Sequence, residues 1–290
     1  MNKIEIRARA KINITLDVLN KREDGYHNVK MIMQTIDLYD TLQLEKVENS
    51  IKVSTNLSYL PIDDRNIAYK AANLFFSTLN INPGIRIKIH KKIPVAAGLA
   101  GGSTDAAAVL IALNKMFKTE LTIEQLQEIG KKLGADVPYC ILGGTALAEG
   151  IGEIITLLPP MPSTIIVLAK PPVSISTAYV YNKLNVEGIS TRPDTESVIN
   201  AIYNKDIVGI AKGMYNVLEP VTTKEHKMIN RIKNIMLGSG ALNAIMSGSG
   251  PTIFGIFEDE VSARKAVDKL RVMVSDIYVV NTYNSNCEER

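Results

Sequence analysis

Apolar and polar residues alternate along 4–18 with a period of two. Ile4, Ile6, Ala8, Ala10, Ile12, Ile14, Leu16 and Val18 fall on one side, and Glu5, Arg7, Arg9, Lys11, Asn13, Thr15 and Asp17 on the other. This predicts a long strand, or two strands meeting at a bend, with one face buried. Lys21-Arg22-Glu23-Asp24-Gly25 is turn chemistry, and further strands are expected over 31–36, 41–46, 51–54 and 85–89. Helical spacing takes over at 67–79, at 106–117, where Val109, Leu110, Leu113 and Phe117 share a face, and at 122–133, stopped by Gly134. Pro159-Pro160-Met161-Pro162 sets an expected boundary between domains 1–158 and 159–290. Beyond it, strands are predicted at 164–169, 241–246, 252–257 and 277–281, and helices at 197–202, 224–237 and 262–273. Ser247-Gly248-Ser249-Gly250-Pro251 joins two of these strands as a hairpin loop, and the polar tail after Tyr283 is read as mobile. Segregated strands and helices argue for an α+β fold.

Composition narrows the function classes. The chain has 290 residues, a formal net charge of +3 and no basic block, so no nucleic-acid partner is expected. Cys140 and Cys287 cannot build a disulfide framework, and His27, His90 and His226 are too scattered for a histidine metal site. The amino terminus lacks a signal-peptide core and no apolar run reaches membrane-spanning length. The expectation is a soluble, cytoplasmic protein with no membrane partner. Oligomeric state is not legible.

The most informative stretch is Pro94-Val95-Ala96-Ala97-Gly98-Leu99-Ala100-Gly101-Gly102-Ser103-Thr104, which leads directly into the apolar helix. Small residues let a ligand approach the backbone, and a helix start offers free N–H groups to a phosphate. No lysine lies between Pro94 and Asn114, so this is not a Walker loop, and Gly98-Leu99-Ala100 breaks the dinucleotide fingerprint. The plain alternative is a tight turn before an alanine-rich core helix. Ser103 or Thr104 could cap that helix, bind a phosphate oxygen or hold magnesium.

Lys11 and Asn13 share the polar side of the first strand, where a lysine is ordinarily solvated. Asp136, in Gly134-Ala135-Asp136-Val137-Pro138, reads most simply as the N-cap of a short helix. Tyr26-His27 beside the turn could hold an aromatic base. The 247–251 loop offers small residues for a second phosphate contact.

Taken in order, these segments resemble the GHMP kinases: an early strand carrying a lysine, a Pro-x-x-x-Gly-Leu-x-Gly-Gly-Ser-Ser/Thr loop and a late Ser-Gly-Ser-Gly-Pro loop. Ala97 and Ala100 stand where many relatives carry glycine. The resemblance implies a two-domain fold, ribosomal protein S5 domain 2-like at the amino end and ferredoxin-like at the carboxy end, with the active site in the cleft between. It implies ATP and Mg2+ as cofactors. Within the family, Ala10-Lys11-Ile12-Asn13, Gly25-Tyr26-His27 and the Asp136 segment resemble the branch that phosphorylates a hydroxyl of a cytidine diphosphate-linked erythritol.

By the same resemblance, Asp136 is the general base and Lys11 lies beside it. Pro94, Val95, Ala96, Ala97, Gly98, Leu99, Ala100, Gly101, Gly102, Ser103 and Thr104 hold ATP. Asn13, Tyr26, His27, Thr177 and Tyr181 meet the substrate, with Tyr179 in reserve for the ring stack, and Gly248 and Gly250 close over its diphosphate. No metal ligand is assigned. The alternatives are another small-molecule kinase of the family, or a non-catalytic nucleotide- or RNA-binding protein.

Overall fold

Strands β1 (Lys3–Lys21) and β2 (His27–Val47) form one long antiparallel pair in the computed structural model, which describes residues 1–284. The two strands expected at 31–36 and 41–46 are therefore one. The expectation of a single buried face also gives way. Arg9, Lys11, Asn13, Thr15 and Asp17 are all buried along with their apolar neighbours.

The reason is two slips in register, between Arg9 and Lys11 and between Asn13 and Thr15. A bulge turns the side chains after it to the other face. Ile6, Ala8, Leu16 and Val18 join one core with Leu42 and Leu44. Ala10, Ile12 and Ile14 join another, with Ile166, Leu168 and Phe254. Between the slips, Lys11 and Asn13 are thereby delivered to the helix-covered side of the sheet.

The first sheet runs β3 (Ile51–Thr55), β4 (Gly84–His90), β2, β1, β8 (Tyr215–Asn216), with β5 (Thr145–Glu149) also on β2 and β6 (Ile154–Leu157) beyond it. Helices α1 (Ile67–Thr78), α2 (Gly101–Phe117), α3 (Ile123–Lys131) and α4 (Val137–Leu142) pack with it. The second sheet has the order β11 (Asp276–Asn281), β7 (Ile165–Lys170), β10 (Ile253–Phe257), β9 (Asn243–Met246), all antiparallel. That order, with α9 (Lys227–Leu237) and α10 (Glu260–Leu270) packed with it, is the ferredoxin-like arrangement. Its opposite face lies on the Ala10–Ile12–Ile14 stretch of β1.

Between β7 and β9 come α5 (Thr177–Lys183), α6 (Thr195–Tyr203), α7 (Ile207–Gly213) and α8 (Glu219–Glu225). The predicted helix at 224–237 is broken at His226, whose φ of −122° and ψ of 78° are non-helical. Strands β5 and β6 and helices α5, α7 and α8 have no counterpart in the sequence pattern, whereas α4 is the short helix expected after Asp136. Among the described residues, no helix is long and apolar enough to cross a membrane. Asn284, part of the tail read as mobile, donates to the Met161 carbonyl at 2.7 Å. Cys287 and the rest of that tail lie outside the described residues.

Candidate active site

Helix α2 begins at Gly101, so Gly101-Gly102-Ser103-Thr104 form its first turn and not the loop before it. Its N-cap is Ala100, in the left-handed region at φ 57°, with no side-chain cap; neither Ser103 nor Thr104 takes that role. The N–H groups of Gly101, Gly102 and Ser103 open the helix without intrahelical acceptors. Together with the helix dipole they form an anion cradle. The approach to it is kinked at Ala96 and Gly98, with φ of 51° and 75°.

A second loop braces the first. Ser247 Oγ donates to the Gly98 carbonyl at 3.0 Å. A Cβ on Gly98 would collide with the Ser247 carbonyl oxygen, so this residue needs glycine for contact as well as for conformation. Buried Asn216, from β8, donates to the carbonyls of Met246 and Gly248 at 2.7 and 2.8 Å and so fixes the 247–251 loop. Gly248 packs on Gly98 and on Asn13, which a Cβ there would approach to 3.4 Å.

One cavity of about 970 Å³ brings these parts together. Lys11 reaches into it, almost wholly buried, donating to Asn13 Oδ1 at 2.7 Å and pairing with Asp136 Oδ2 at 3.6 Å. Asn13 in turn donates to Met31 Sδ at 3.2 Å. Asp136 does precede α4, but its carboxylate makes no cap bond and is left facing Lys11.

Further along the same cavity, the His27 and Tyr181 rings meet at 5.3 Å between centroids, tilted by 43°. Burial, with Lys21 nearby, lowers the His27 pKa from its usual 6.5 and favours the neutral ring. Burial, with the Asp136 charge, raises the Tyr181 phenol and keeps its proton. Tyr26 is exposed at the rim. Tyr179 points elsewhere, its hydroxyl donating to Glu225 at 2.6 Å. Thr177 lines the cavity and shares a 2.8 Å hydrogen bond with Ser249 Oγ.

Most residues singled out in the sequence thus line one space: Lys11, Asn13, Tyr26, His27, Asp136, Thr177, Tyr181, Gly248 and Pro94 through Ser103, except Leu99. Leu99 is in the core. Thr104 is buried and donates to the Arg9 carbonyl at 2.7 Å. Gly250 supports the loop from behind, where a Cβ would collide with Met246 Sδ. Sequence reasoning missed Asn66 and Arg65 at the entrance of α1, buried Asn216, and a buried cluster of Asp40, Lys91 and Asp105. Asn66 carried a readable signal, a helix-capping asparagine after the Asp63-Asp64 turn; the others carried none.

Comparison with known proteins places this geometry in context. Residues 66–144 match the family model of the GHMP kinases N terminal domain, and residues 198–275 that of the GHMP kinases C terminal. A 4-diphosphocytidyl-2-C-methyl-D-erythritol kinase of Clostridium perfringens is 52% identical over 98% of this chain and 99% of the relative. That of Acetivibrio thermocellus is 51% identical over 97% of this chain and 100% of its own. Among solved structures, a 4-(cytidine 5'-diphospho)-2C-methyl-D-erythritol kinase superposes with a TM-score of 0.84 at 31% identity, covering 97% of this chain and 100% of the other. Homoserine kinase from Cytophaga hutchinsonii shares the fold, with a TM-score of 0.77 at 20% identity over 99% of this chain and 96% of its own.

Proposed function

This chain belongs to the GHMP kinases, in the branch of the 4-diphosphocytidyl-2-C-methyl-D-erythritol kinases, and from that premise we propose how its cavity carries out the reaction. The enzyme uses ATP to phosphorylate the 2-hydroxyl of 4-diphosphocytidyl-2-C-methyl-D-erythritol, giving the 2-phosphate and ADP, in non-mevalonate isoprenoid biosynthesis. The observation that carries our reading of the site is the Lys11–Asp136 pair, 3.6 Å apart, in the same cavity as the open start of α2.

In this reading the ATP phosphates rest on the N–H groups of Gly101, Gly102 and Ser103, between the 94–100 segment and the 247–251 loop. Asp136 accepts the proton of the substrate hydroxyl as that oxygen attacks the γ-phosphorus. Lys11, held in place by Asn13, orients Asp136 and offsets charge on the transferring oxygens. Proton acceptance of this kind is worth about 10²–10⁴-fold. Positioning and electrostatics supply the rest, since phosphoryl transfer asks little covalent chemistry of a protein.

His27 and Tyr181, with Tyr26 at the rim, hold the cytosine, and Thr177 and Gly248 lie along the substrate. Gly250 acts by shaping the loop. Thr104 and Leu99 act by anchoring the cradle, Thr104 through its bond to the Arg9 carbonyl and Leu99 through the core. Magnesium is the proposed counter-ion of the nucleotide. Among the described residues no group of three or more His, Cys, Asp or Glu side chains is gathered to hold a metal. The proposal places the cation on phosphate oxygens and water, where it would neutralise charge. We assign residues 1–158 and 159–290 to the two domains, with β8 crossing back to the first sheet. A cytoplasmic setting and small-molecule partners belong to the same proposal.

The test is ADP release from ATP and magnesium with separate acceptors: the cytidyl substrate, mevalonate, homoserine and galactose. Turnover with the cytidyl substrate alone is expected. Turnover with another acceptor and none with the cytidyl substrate would overturn the assignment.

A further inference from the structure

Beneath the first turn of α2 lies a buried cluster that the reaction as described does not use. Lys91, just after β4, donates through Nζ to Asp40 Oδ2 on β2 at 2.5 Å, to Asp105 Oδ2 on α2 at 2.6 Å and to the Gly101 carbonyl at 3.3 Å. Asp40 is otherwise satisfied, its Oδ1 accepting from the N–H groups of Lys92 and Ile93. Asp105 is not. Its Oδ1 is buried with no hydrogen-bond partner.

One ammonium therefore serves two carboxylates, and with all three ionised the buried cluster carries a net negative charge. It sits under the helix end proposed to receive the nucleotide phosphates, and both Lys91 and Asp105 line that cavity. The helix dipole favours one anion there; a second competes with it. A buried carboxylate that shares its one counter-charge with a second carboxylate and leaves an oxygen unsatisfied is relieved most cheaply by gaining a proton.

We propose that Asp105 is a positioning residue whose protonated form is favoured further when nucleotide binds, so that the Asp40–Lys91–Asp105 cluster is held neutral as the phosphates settle on the start of α2. The added proton neutralises the carboxyl while Asp40 keeps its pairing with Lys91. Lys91 then continues to tie the Gly101 carbonyl, and with it the first turn, to the sheet. Burial is the main influence on the Asp105 carboxyl. Lys91 opposes it and Asp40 adds to it, and the carboxyl stands at about 8. The two carboxylates more than offset the effect of burial on Lys91, whose pKa is raised, so the lysine stays cationic. The other charged groups lining the cavity are Lys11, Asp136, Arg65, Asp24 and His27. Arg65 and Asp24 are exposed and already paired, with Asp63 and Arg22.

The inference rests on the placement of nucleotide at α2, and one experiment separates the two. ADP binding, with magnesium held constant, is followed by calorimetry in buffers of different ionisation enthalpy between pH 7 and 9. The native enzyme should take up a proton fraction that grows with pH across that range. Asp105→Asn, neutral and of the same shape, should bind ADP with that uptake abolished and with an affinity that no longer falls toward pH 9. Binding without uptake in the native enzyme, or uptake that persists in the variant, would overturn the inference alone. Absence of ADP binding to the native enzyme would overturn both readings. Should the variant fail to fold, an infrared difference spectrum of the native enzyme decides: ADP must convert a carboxylate signal into a protonated-carboxyl signal.

Discussion

Ser247 Oγ donates to the carbonyl of Gly98 at 3.0 Å, joining two loops that stand 149 residues apart in the chain. The contact makes the anion cradle a joint product of both halves of the sequence. Gly98 has no room for a side chain, since a Cβ would collide with the Ser247 carbonyl oxygen at a φ of 75°. Gly98→Ala should therefore cost about 2–4 kcal/mol of stability. It should also weaken ADP binding by pushing the two loops apart. Thermal melting and ADP titration on the same preparation check both effects.

Asp136 is the one carboxylate within 4 Å of Lys11 Nζ among the described residues, and it is not spent on capping α4. Replacing it with Asn keeps shape and removes the proton acceptor. We expect kcat to fall by about 10²–10⁴-fold with little change in the KM for ATP. A comparable rise in KM with unchanged kcat would assign Asp136 to binding.

Much of this site was legible in the chain because glycine-rich turns and helix starts are local features. Gly98, Gly101 and Gly102, the Asp136-Val137-Pro138 corner and the 247–251 hairpin all announce themselves within a few residues. What sequence could not supply was register. The slips that turn Lys11 and Asn13 inward depend on how β2 lies against β1, and alternation along β1 alone reads straight through them. The Asp40–Lys91–Asp105 cluster was hidden for a related reason. Its members belong to three elements, and each taken singly looks like a surface charge.

Tyr179 and Tyr181 illustrate a third limit. On a helix, residues two apart point about 200° away from each other. Once α5 is present, only one of the two can face His27, and it is Tyr181. Tyr181→Ala should raise the KM for the cytidyl substrate by about 10–100-fold. Tyr179→Phe, which removes only the bond to Glu225, should leave that KM within about twofold. Steady-state kinetics with saturating ATP distinguish the two variants.

His27 gives the site a pH dependence of defined sign. Its folded-state pKa lies below the ordinary 6.5, with burial as the main cause and Lys21 as the second. The unfolded chain therefore binds the proton more readily, and stability rises with pH through the window that ends near 6.5. As pH falls through that window, the enzyme should lose stability, and the cytidyl substrate should bind less well as the ring gains a charge that burial penalises and loses its acceptor nitrogen. His27→Gln should flatten this part of the stability profile while leaving the alkaline side unchanged. Urea titrations from pH 5 to 8 would measure it.

The three alanines of the cradle differ in what their methyl groups do, and substitution by glycine separates them. Ala96 is exposed and held at φ 51°, so its methyl contributes strain and little packing. A left-handed conformation costs a non-glycine residue about 1–2 kcal/mol, and the added freedom of glycine in the unfolded chain returns about 0.4–1 of it. Ala96→Gly should thus stabilise the enzyme by about 0.5–1 kcal/mol. Ala100 is strained in the same way at φ 57°, but its side chain packs against the core, so its gain should be smaller. Ala97 has no such strain and is buried in the second core. Its replacement removes apolar contact and loosens the chain, and should cost about 1 kcal/mol. The order expected in urea unfolding is Ala96→Gly above Ala100→Gly above native above Ala97→Gly. A native protein more stable than Ala96→Gly would mean that the loop draws its rigidity from this methyl, and that flexibility at Ala96 is more costly than the strain it relieves.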